Sequence, residues 1–248
     1  MKVLVAAIAF MSMSVMSFAQ EMTADQVIDA YLEVSGGKEA WRELKGQRAV
    51  GEFTIQETSF PFEMWEMADG RSATVAEVMG MQFYQGCFDG ENLWNTNQMT
   101  MKAELADSEE TENKKRESQD FPNAYLDYND KGHTIELIGK ETVDGVECYK
   151  IMITKGTELV DGEEKPKVQY DYFDAETFAH LRSEMTMSSG PAAGTVITTT
   201  LSDYQEVDGL YFPFSIETSY GEMGSQTIEL EEIELNPEVE DEIFAFPG

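Results

Sequence analysis

Five Asp-Gly pairs constrain the fold of this chain more than any other feature of its sequence. They stand at 69–70, 89–90, 144–145, 161–162 and 208–209, and each separates two apolar or alternating runs. Asp-Gly readily adopts the positive φ angles of the tight turns that join neighbouring antiparallel strands. The sequence therefore predicts an antiparallel meander.

The clearest part of the meander lies near the C-terminus. The run 195–206 is rich in β-branched residues, and 210–220 runs back from it after the turn at Asp208-Gly209. A third run, 225–235, alternates apolar residues with glutamate, which predicts a sheet with one side facing water. Pro213 cannot donate a ladder hydrogen bond, so it marks an edge, a bulge or a strand start.

Other runs have the same composition. We predict strands at 48–57, 61–68, 72–80, 81–88, 93–97, 133–142, 147–155, 167–173 and 180–187. Together with the three C-terminal runs, these are too many strands for one flat sheet, so we expect a strongly twisted or curled sheet. The predicted fold class is mainly β, of the α+β type.

Two short amphipathic helices are predicted before the first strand. Thr23 and Gln26 form a capping box at the start of the helix 22–34, and a Gly-Gly pair separates it from the helix 38–44. Each helix has one apolar stripe that must be buried against another element. The charged segment 102–123 interrupts the strands and is predicted to be a short helix or a mobile cover.

The first 19 residues indicate export. They contain one basic residue and an apolar stretch, and they end in Ser-Phe-Ala, which is typical of a secretory signal peptide cut after Ala19. A membrane anchor, the alternative, needs about 20 apolar residues. Residues 20–248 are expected to form one domain.

The charge of the chain excludes several classes of partner. It has 48 acidic and 17 basic residues, and its formal net charge is −31. Such a charge repels phosphate backbones and anionic lipid surfaces, so we expect no nucleic-acid partner. Because 42% of the residues are hydrophobic, the chain is not a disordered acidic polymer.

No residue pattern indicates catalysis. His133 and His180 each begin a strand without a second ligand at metal-binding spacing, and we predict solvated strand ends rather than a metal site. Cys87 and Cys148 either form a disulfide or are buried thiols. The sequence contains no nucleophile elbow, phosphate loop or dinucleotide fingerprint. We therefore predict a non-enzymatic protein with no metal and no cofactor.

Several segments resemble one family. The segment 88–97, FDGENLWNTN, is similar to the DG-x-x-x-W-x-x-N element of periplasmic outer-membrane lipoprotein-sorting proteins, the LolA-like or LolB-like family. Further segments are similar to its Bacteroidetes-type members, namely 126–133, 137–146, 172–177, 202–209 and 233–238, with Phe244 near the end. The family has an Arg-Pro turn after its second strand, whereas Arg71 here is followed by serine.

The resemblance implies an open half-barrel, in which a curled antiparallel sheet is covered by short helices and encloses an apolar cavity. It implies a monomeric periplasmic carrier or chaperone that binds the acyl chains of lipoproteins, or a similar lipid. An inner-membrane donor and an outer-membrane acceptor would be its partners. A general apolar-ligand binder and an envelope-stress sensor module are alternatives with the same fold. A surface module that binds glycans or proteins is an alternative of another class.

Strand alternation assigns one apolar side to each of the predicted strands 48–57, 61–68 and 81–88, and these sides should adjoin. In the second strand, either Phe62 with Met64 or Trp65 with Met67 forms that side. A binding cavity and a closed core both fit this pattern. The predicted ligand-binding residues are Phe53, Ile55, Phe62, Met64, Met81, Phe83 and Trp94, and the predicted lid residues on the two helices are Val27, Tyr31 and Trp41.

Overall fold

The structure is a computed structural model that describes residues 22–190 and 193–247. The predicted signal peptide, 1–19, lies outside the described residues. Within those residues, no helix is long and apolar enough to cross a membrane.

In the described ranges the chain forms one antiparallel sheet of thirteen strands and three α-helices. The helices are α1 Ala24–Val34, α2 Lys38–Glu43 and α3 Ser108–Glu117. The strands are β1 Gly46–Ile55, β2 Thr58–Met67, β3 Ser72–Val78, β4 Met81–Phe88, β5 Leu93–Thr96, β6 Ala103–Leu105, β7 Thr134–Val143, β8 Val146–Val160, β9 Glu163–Asp174, β10 His180–Thr186, β11 Val196–Val207, β12 Leu210–Ser219 and β13 Ser225–Leu235.

The strand order explains how the sheet is built. Strands β1 to β6 run outward as one meander, strands β7 to β13 return as a second, and the pairing of β1 with β13 joins the two. The two edges of the sheet are β6 and β7, and they do not close into a barrel. The predicted fold class, a mainly β open half-barrel with a few short helices, is confirmed.

Local sequence accounts for the hairpins. The Asp-Gly pairs after β7, β8 and β11 each have two positive φ angles, such as 48° at Asp144 and 89° at Gly145. These angles are those of a type I′ turn, which matches the twist of antiparallel strands. Pro213 lies in β12, which pairs with β13 only from Ser215 to Ser219, so the proline occupies a local edge.

Strand pairing divides the side chains between two faces. We call the face that contains Phe53, Phe173 and Phe212 the helix face, because α1 and α2 pack on it. The other face, which contains Trp65 and Trp94, is called the opposite face. On the helix face the two helices form a large buried cluster with β8, β9 and β12, and its buried members are Val27, Ile28, Leu32, Trp41, Leu44, Tyr125, Leu126, Ile151, Ile153, Phe173, Leu210, Phe212 and Phe214.

A long linker, 106–133, connects the two edges of the sheet and contains α3. No residue of α3 is buried, so polar contacts hold this helix. The side-chain amide of Asn113 both donates to and accepts from the backbone of Leu159, and the Glu109 carboxylate accepts from two backbone amides of the β8–β9 turn. Of the two alternatives predicted for this segment, the short helix is confirmed.

Candidate ligand-binding site

The register of the strands places apolar side chains in two adjacent rows on the helix face. One row crosses five strands through direct pairs, and its members are Leu201, Ile216, Ile228, Phe53 and Phe60. The next row consists of Leu230, Gly51, Phe62, Ala76 and Phe83. We call these two rows, together with Ile55, Met64 and Met81 on the same strands, the apolar strip.

The apolar strip is only partly covered. Phe62 forms its floor and is 5% exposed, whereas Ile55 and Met81 are 42% and 48% exposed. The Phe53 ring stacks on Phe60 at 5.2 Å between ring centroids and lies 6.2 Å from Phe62. None of these side chains belongs to the buried clusters that the described residues form. A contiguous apolar surface of this kind is typical of a binding site.

A β-bulge shapes the floor of the strip. The register of β1 against β13 shifts between Val50 and Gly51. A Cβ atom at Gly51 would lie 2.2 Å from the backbone oxygen of Glu229, so a larger residue does not fit there. Gly51 therefore permits the close contact of β1 and β13 at the point where the two meanders join.

Six of the seven predicted ligand-binding residues lie together in the apolar strip. They are Phe53, Ile55, Phe62, Met64, Met81 and Phe83. The pairing of Trp65 with Arg48 assigns it to the opposite face, so Phe62 and Met64 form the helix-face side of β2. Whether these residues bind a ligand stays a prediction.

Trp94 is not part of the strip. It lies on the opposite face, is 2% exposed, and donates from Nε1 to the backbone oxygen of Phe244 over 2.8 Å. The C-terminal segment packs there, and Phe244 joins Trp65, Ala73 and Cys87 in a second buried cluster. The sequence could not reveal this, because a tryptophan in a four-residue strand has the same pattern on either face.

The predicted lid residues lie on the helix face but over other strands. Val27 and Trp41 are buried in the large cluster, and Trp41 packs edge-on against Phe212 at 5.3 Å. Tyr31 contacts Phe173 of β9 at 5.0 Å. The helices therefore cover β8, β9 and the start of β12, and the buried cluster that they form does not include the residues of the strip. Their role as a lid stays a prediction.

Seven members of the strip were not among the predicted ligand-binding residues, namely Gly51, Phe60, Ala76, Leu201, Ile216, Ile228 and Leu230. Phe60 lies in β2, whose start was predicted three residues too late, at Pro61. Leu201, Ile216 and Ile228 alternate correctly in the sequence, but their position beside Phe53 depends on the pairing of β1 with β13, which are far apart in the chain. The alternation of 225–235 was the available signal for Ile228.

The two histidines are not solvated strand ends, so that prediction was wrong. His133 is buried, and its Nε2 lies 2.7 Å from Asp120 Oδ1 on the linker. His180 stacks on Phe173 at 4.9 Å and lies 6.1 Å from the Tyr31 ring. The linker and α1 cover the ends of these strands. An alternation pattern cannot predict burial by segments that are distant in the chain.

The covered part of the helix face contains a buried polar cluster around Asp171. His180 Nε2 lies 3.2 Å from Asp171 Oδ1 and 3.1 Å from Ser183 Oγ. Since the same ring nitrogen faces both groups, this geometry is not that of a Ser-His-Asp triad, which uses both nitrogens. Tyr125 also donates to Asp171. Burial alone would raise the pKa of Asp171, but His180 and the Ser183 and Tyr125 hydroxyls lower it to about 2.

The cysteines are free thiols in this structure. Cys87 and Cys148 are both buried, and each belongs to a different apolar cluster. Burial raises the pKa of Cys87 to about 11, so this thiol is a packing residue rather than a nucleophile. Among the described residues, no group of three or more His, Cys, Asp or Glu side chains could hold a metal ion.

Solved structures share this fold. A DUF1329 family protein from Desulfovibrio piger aligns with a TM-score of 0.55 and 12% identity over 90% of this chain and 97% of its own. A LolA superfamily protein from Nitrosomonas europaea aligns with a TM-score of 0.54 and 12% identity over 91% and 98%. A putative outer-membrane lipoprotein-sorting protein domain from Vibrio parahaemolyticus aligns with a TM-score of 0.52 and 13% identity over 86% and 95%.

These likenesses establish the fold, and the resemblance to LolA-like proteins that the sequence motifs predicted is confirmed. None of the curated proteins compared with the chain matches it. A family model described as "-like: Uncharacterized protein" matches residues 109–246, which is more than half of the chain, and the chain belongs to that family.

Proposed function

We propose that this protein is a periplasmic carrier or chaperone that binds acyl chains, of a lipoprotein or a similar lipid, on the apolar strip for transfer toward the outer membrane. The observation that carries the proposal is the row of side chains from Leu201 to Phe60, which is apolar at every position, half-buried, and outside the buried cluster that α1 and α2 form. An acyl chain needs such a surface and no polar partner along it.

The residue types of the strip suit an acyl chain. Met64 and Met81 have flexible thioether side chains that adapt to irregular apolar shapes, and the phenylalanines supply large apolar area. A glycan site would instead offer an exposed aromatic platform beside polar groups. Trp65 and Trp94 do not offer one, since both are buried on the opposite face.

The remaining parts of the proposal concern location and partners. Cleavage after Ala19 would export residues 20–248 as one domain that acts as a monomer without enzymatic activity. An inner-membrane donor would load the ligand and an outer-membrane acceptor would receive it. The name of the lipoprotein-sorting neighbour and the secretory pattern of 1–19 support this placement.

A charge placed in the strip tests the proposal. Phe53→Asp should abolish binding of a fluorescent acyl-chain analogue while the protein stays folded, because a carboxylate on a half-open surface keeps part of its hydration. Val146→Asp, at an exposed residue on the opposite face, is the matched control and should bind as the wild type does. Global unfolding of Phe53→Asp would indicate a packed core, and a folded Phe53→Asp with wild-type binding would place the site elsewhere.

A further inference from the structure

A polar cavity lies where the linker passes the ends of β2 and β3. Its volume is about 270 Å³, and its walls come from both meanders as well as from the linker. Glu66 and Ser72 line it from β2 and β3, Lys114 and Asp120 line it from the linker, and Lys155 lines it from β8. We call this space the polar pocket.

The polar pocket continues the apolar strip along a single strand. On the helix face of β2 the side chains are, in order, Phe60, Phe62, Met64 and Glu66. The first three belong to the strip, and Glu66 lines the pocket. At about 3.3–3.4 Å per residue, the distance along the strand from Phe60 to Glu66 is about 20 Å. An apolar surface therefore leads directly into a polar end.

Two lysines reach this pocket from different elements. Lys155 lies within a register shift between Thr154 and Thr157 in β8, and such a bulge can redirect a side chain. Its Nζ lies 3.3 Å from Asp120 Oδ2. Lys114 is half-buried on α3, and no carboxylate of the described residues lies within ion-pair distance of it. Lys114 is thus a cation on the pocket wall without a bound counter-charge.

The carboxylates around the pocket already have donors. Glu66 accepts from the Gln47 side-chain amide over 2.7 Å, and Glu117 lies 3.6 Å from Lys167 Nζ. Asp120 is shared between Lys155 and His133. In a chain with a net charge of −31, an uncompensated lysine inside a cavity is a feature that an incoming anion would satisfy.

Arg71, although it lines the pocket, is held by other groups. Its Nε donates to Asp69 over 2.9 Å, and its guanidinium also pairs with Asp241. The guanidinium carbon lies 4.8 Å from the centre of the Phe244 ring. Arg71 therefore links the C-terminal segment to the β2–β3 turn. Since Lys155 is paired with Asp120, Lys114 is the pocket cation left to face a ligand.

We propose that the polar pocket binds the anionic headgroup, a carboxylate or a phosphate, of a single amphiphile whose acyl chain lies along the apolar strip. This proposal rests on the proposed function, since it requires the strip to hold the chain. It adds a preference that a purely apolar surface would lack: the protein selects an anionic amphiphile over a neutral one of equal chain length.

Competition between two amphiphiles of equal chain length tests the preference. Dodecanoate and dodecanol displace an uncharged solvatochromic dye from the wild type, from Lys114→Gln and from the control Lys102→Gln, whose lysine is exposed and outside the pocket. Salt near 0.15 M shortens the Debye length to about 8 Å, which screens the general acidic surface. We expect the wild type and Lys102→Gln to prefer dodecanoate by about tenfold, the strength of one charge-assisted contact. Lys114→Gln should lose that preference and bind dodecanol unchanged.

The outcomes separate the two proposals. If neither amphiphile binds the wild type, the strip does not hold an acyl chain and the proposed function fails. If both bind equally well, or if Lys114→Gln and a Lys114→Gln/Lys155→Gln double variant keep the preference, the strip stands and the headgroup pocket is overturned. Titration with inorganic phosphate alone distinguishes the sources of the anion: tight binding of free phosphate would overturn the assignment to an amphiphile, and its absence supports it.

Discussion

The helix face of this sheet has two regions with the same alternation of apolar side chains, and only one of them is covered by α1 and the linker. In the second meander, Phe173 is fully buried and has the rings of Tyr31, Tyr125 and His180 around it, at 5.0, 5.6 and 4.9 Å. In the first meander, the ring of Phe53 contacts the neighbouring phenylalanines of the apolar strip. Both regions follow the same alternation, and what differs is the presence of α1 and the linker above one of them.

This difference shows that the helices are part of a hydrophobic core, whereas the apolar strip is a partly exposed surface. The apolar stripe of α1 is used completely by the second meander, since Val27, Ile28 and Leu32 are all buried there. The effect of a substitution on the free energy of unfolding should therefore depend on the region in which the residue lies. The following predictions use matched pairs of residues to test that dependence.

The largest difference is expected between two phenylalanines. Phe173→Ala should destabilise the fold by about 3–5 kcal/mol, because it leaves a cavity in a closed cluster. Phe83→Ala, in the strip, should cost about 1 kcal/mol, because solvent already reaches that site. Urea denaturation of both variants measures the two free energies of unfolding. Equal losses would mean that the strip is packed as tightly as the covered region.

The stability of the fold should be sensitive to one added methyl group where β1 pairs with β13. Gly51→Ala would bring a Cβ atom against the backbone of Glu229, and we expect a loss of up to about 3 kcal/mol. Gly46→Ala in the same strand is the control, since its Cβ meets the flexible end of Met67. Thermal unfolding compares the two. A Gly51→Ala variant as stable as Gly46→Ala would show that β1 and β13 can move apart at no cost.

The buried polar cluster around Asp171 should make the free energy of unfolding depend on pH, whereas the apolar strip has no titratable group that would do so. The pKa of Asp171 is about 2 in the folded protein, below its ordinary value, so the ionised form stabilises the fold above about pH 4 and this contribution is lost as the pH falls toward 2. At neutral pH the free energy of unfolding of Asp171→Asn should be about 2 kcal/mol lower than that of the wild type. This difference should become smaller between pH 4 and 2. Asp208→Asn, in an exposed turn that also accepts asparagine, should show no such difference. A difference in free energy of unfolding between Asp171→Asn and wild type that does not change with pH would contradict the stabilising role of the ionised Asp171.

The smallest effect on stability is expected at the exposed end of the strip. Met81→Ser should change the free energy of unfolding by no more than about 0.5 kcal/mol, because Met81 is 48% exposed. The same change should weaken binding of an acyl-chain probe, which removes apolar area from water at this residue. Chemical denaturation and probe titration of one sample give both values. A large loss of stability without a change in binding would assign Met81 to a core.

Much of the fold was predictable from local sequence. Met81–Phe88 and Ser225–Leu235 were predicted with their observed bounds, and the Thr23 capping box was recognised. The three-residue strand Ala103–Leu105 was missed, because a run that short has no measurable alternation. β8 and β9 are longer than predicted, since Glu158 pairs with Lys165 and Leu159 with Glu164 across a hairpin whose sequence carries little apolar pattern.

The candidate site was predictable only in part, for a physical reason. Alternation showed which side chains share a face within each of β1, β2 and β4. It left open whether Phe62 with Met64 or Trp65 with Met67 lies beside Phe53, and the observed register decided this. It could not show which face α1 would cover, because that depends on contacts between distant segments. For the same reason the burial of His133, at the end of the linker, could not be predicted.

Photo-crosslinking with an acyl chain that carries a terminal diazirine tests the central claim most directly. Mass spectrometry of the labelled protein then identifies the residues beside the chain. The account predicts labels in β1, β2 and β4, on the peptides that contain Phe53, Phe60 and Met81, and their loss in Phe53→Asp. Labels confined to the opposite face, around Trp65 and Tyr84, or an absence of specific labelling, would contradict it.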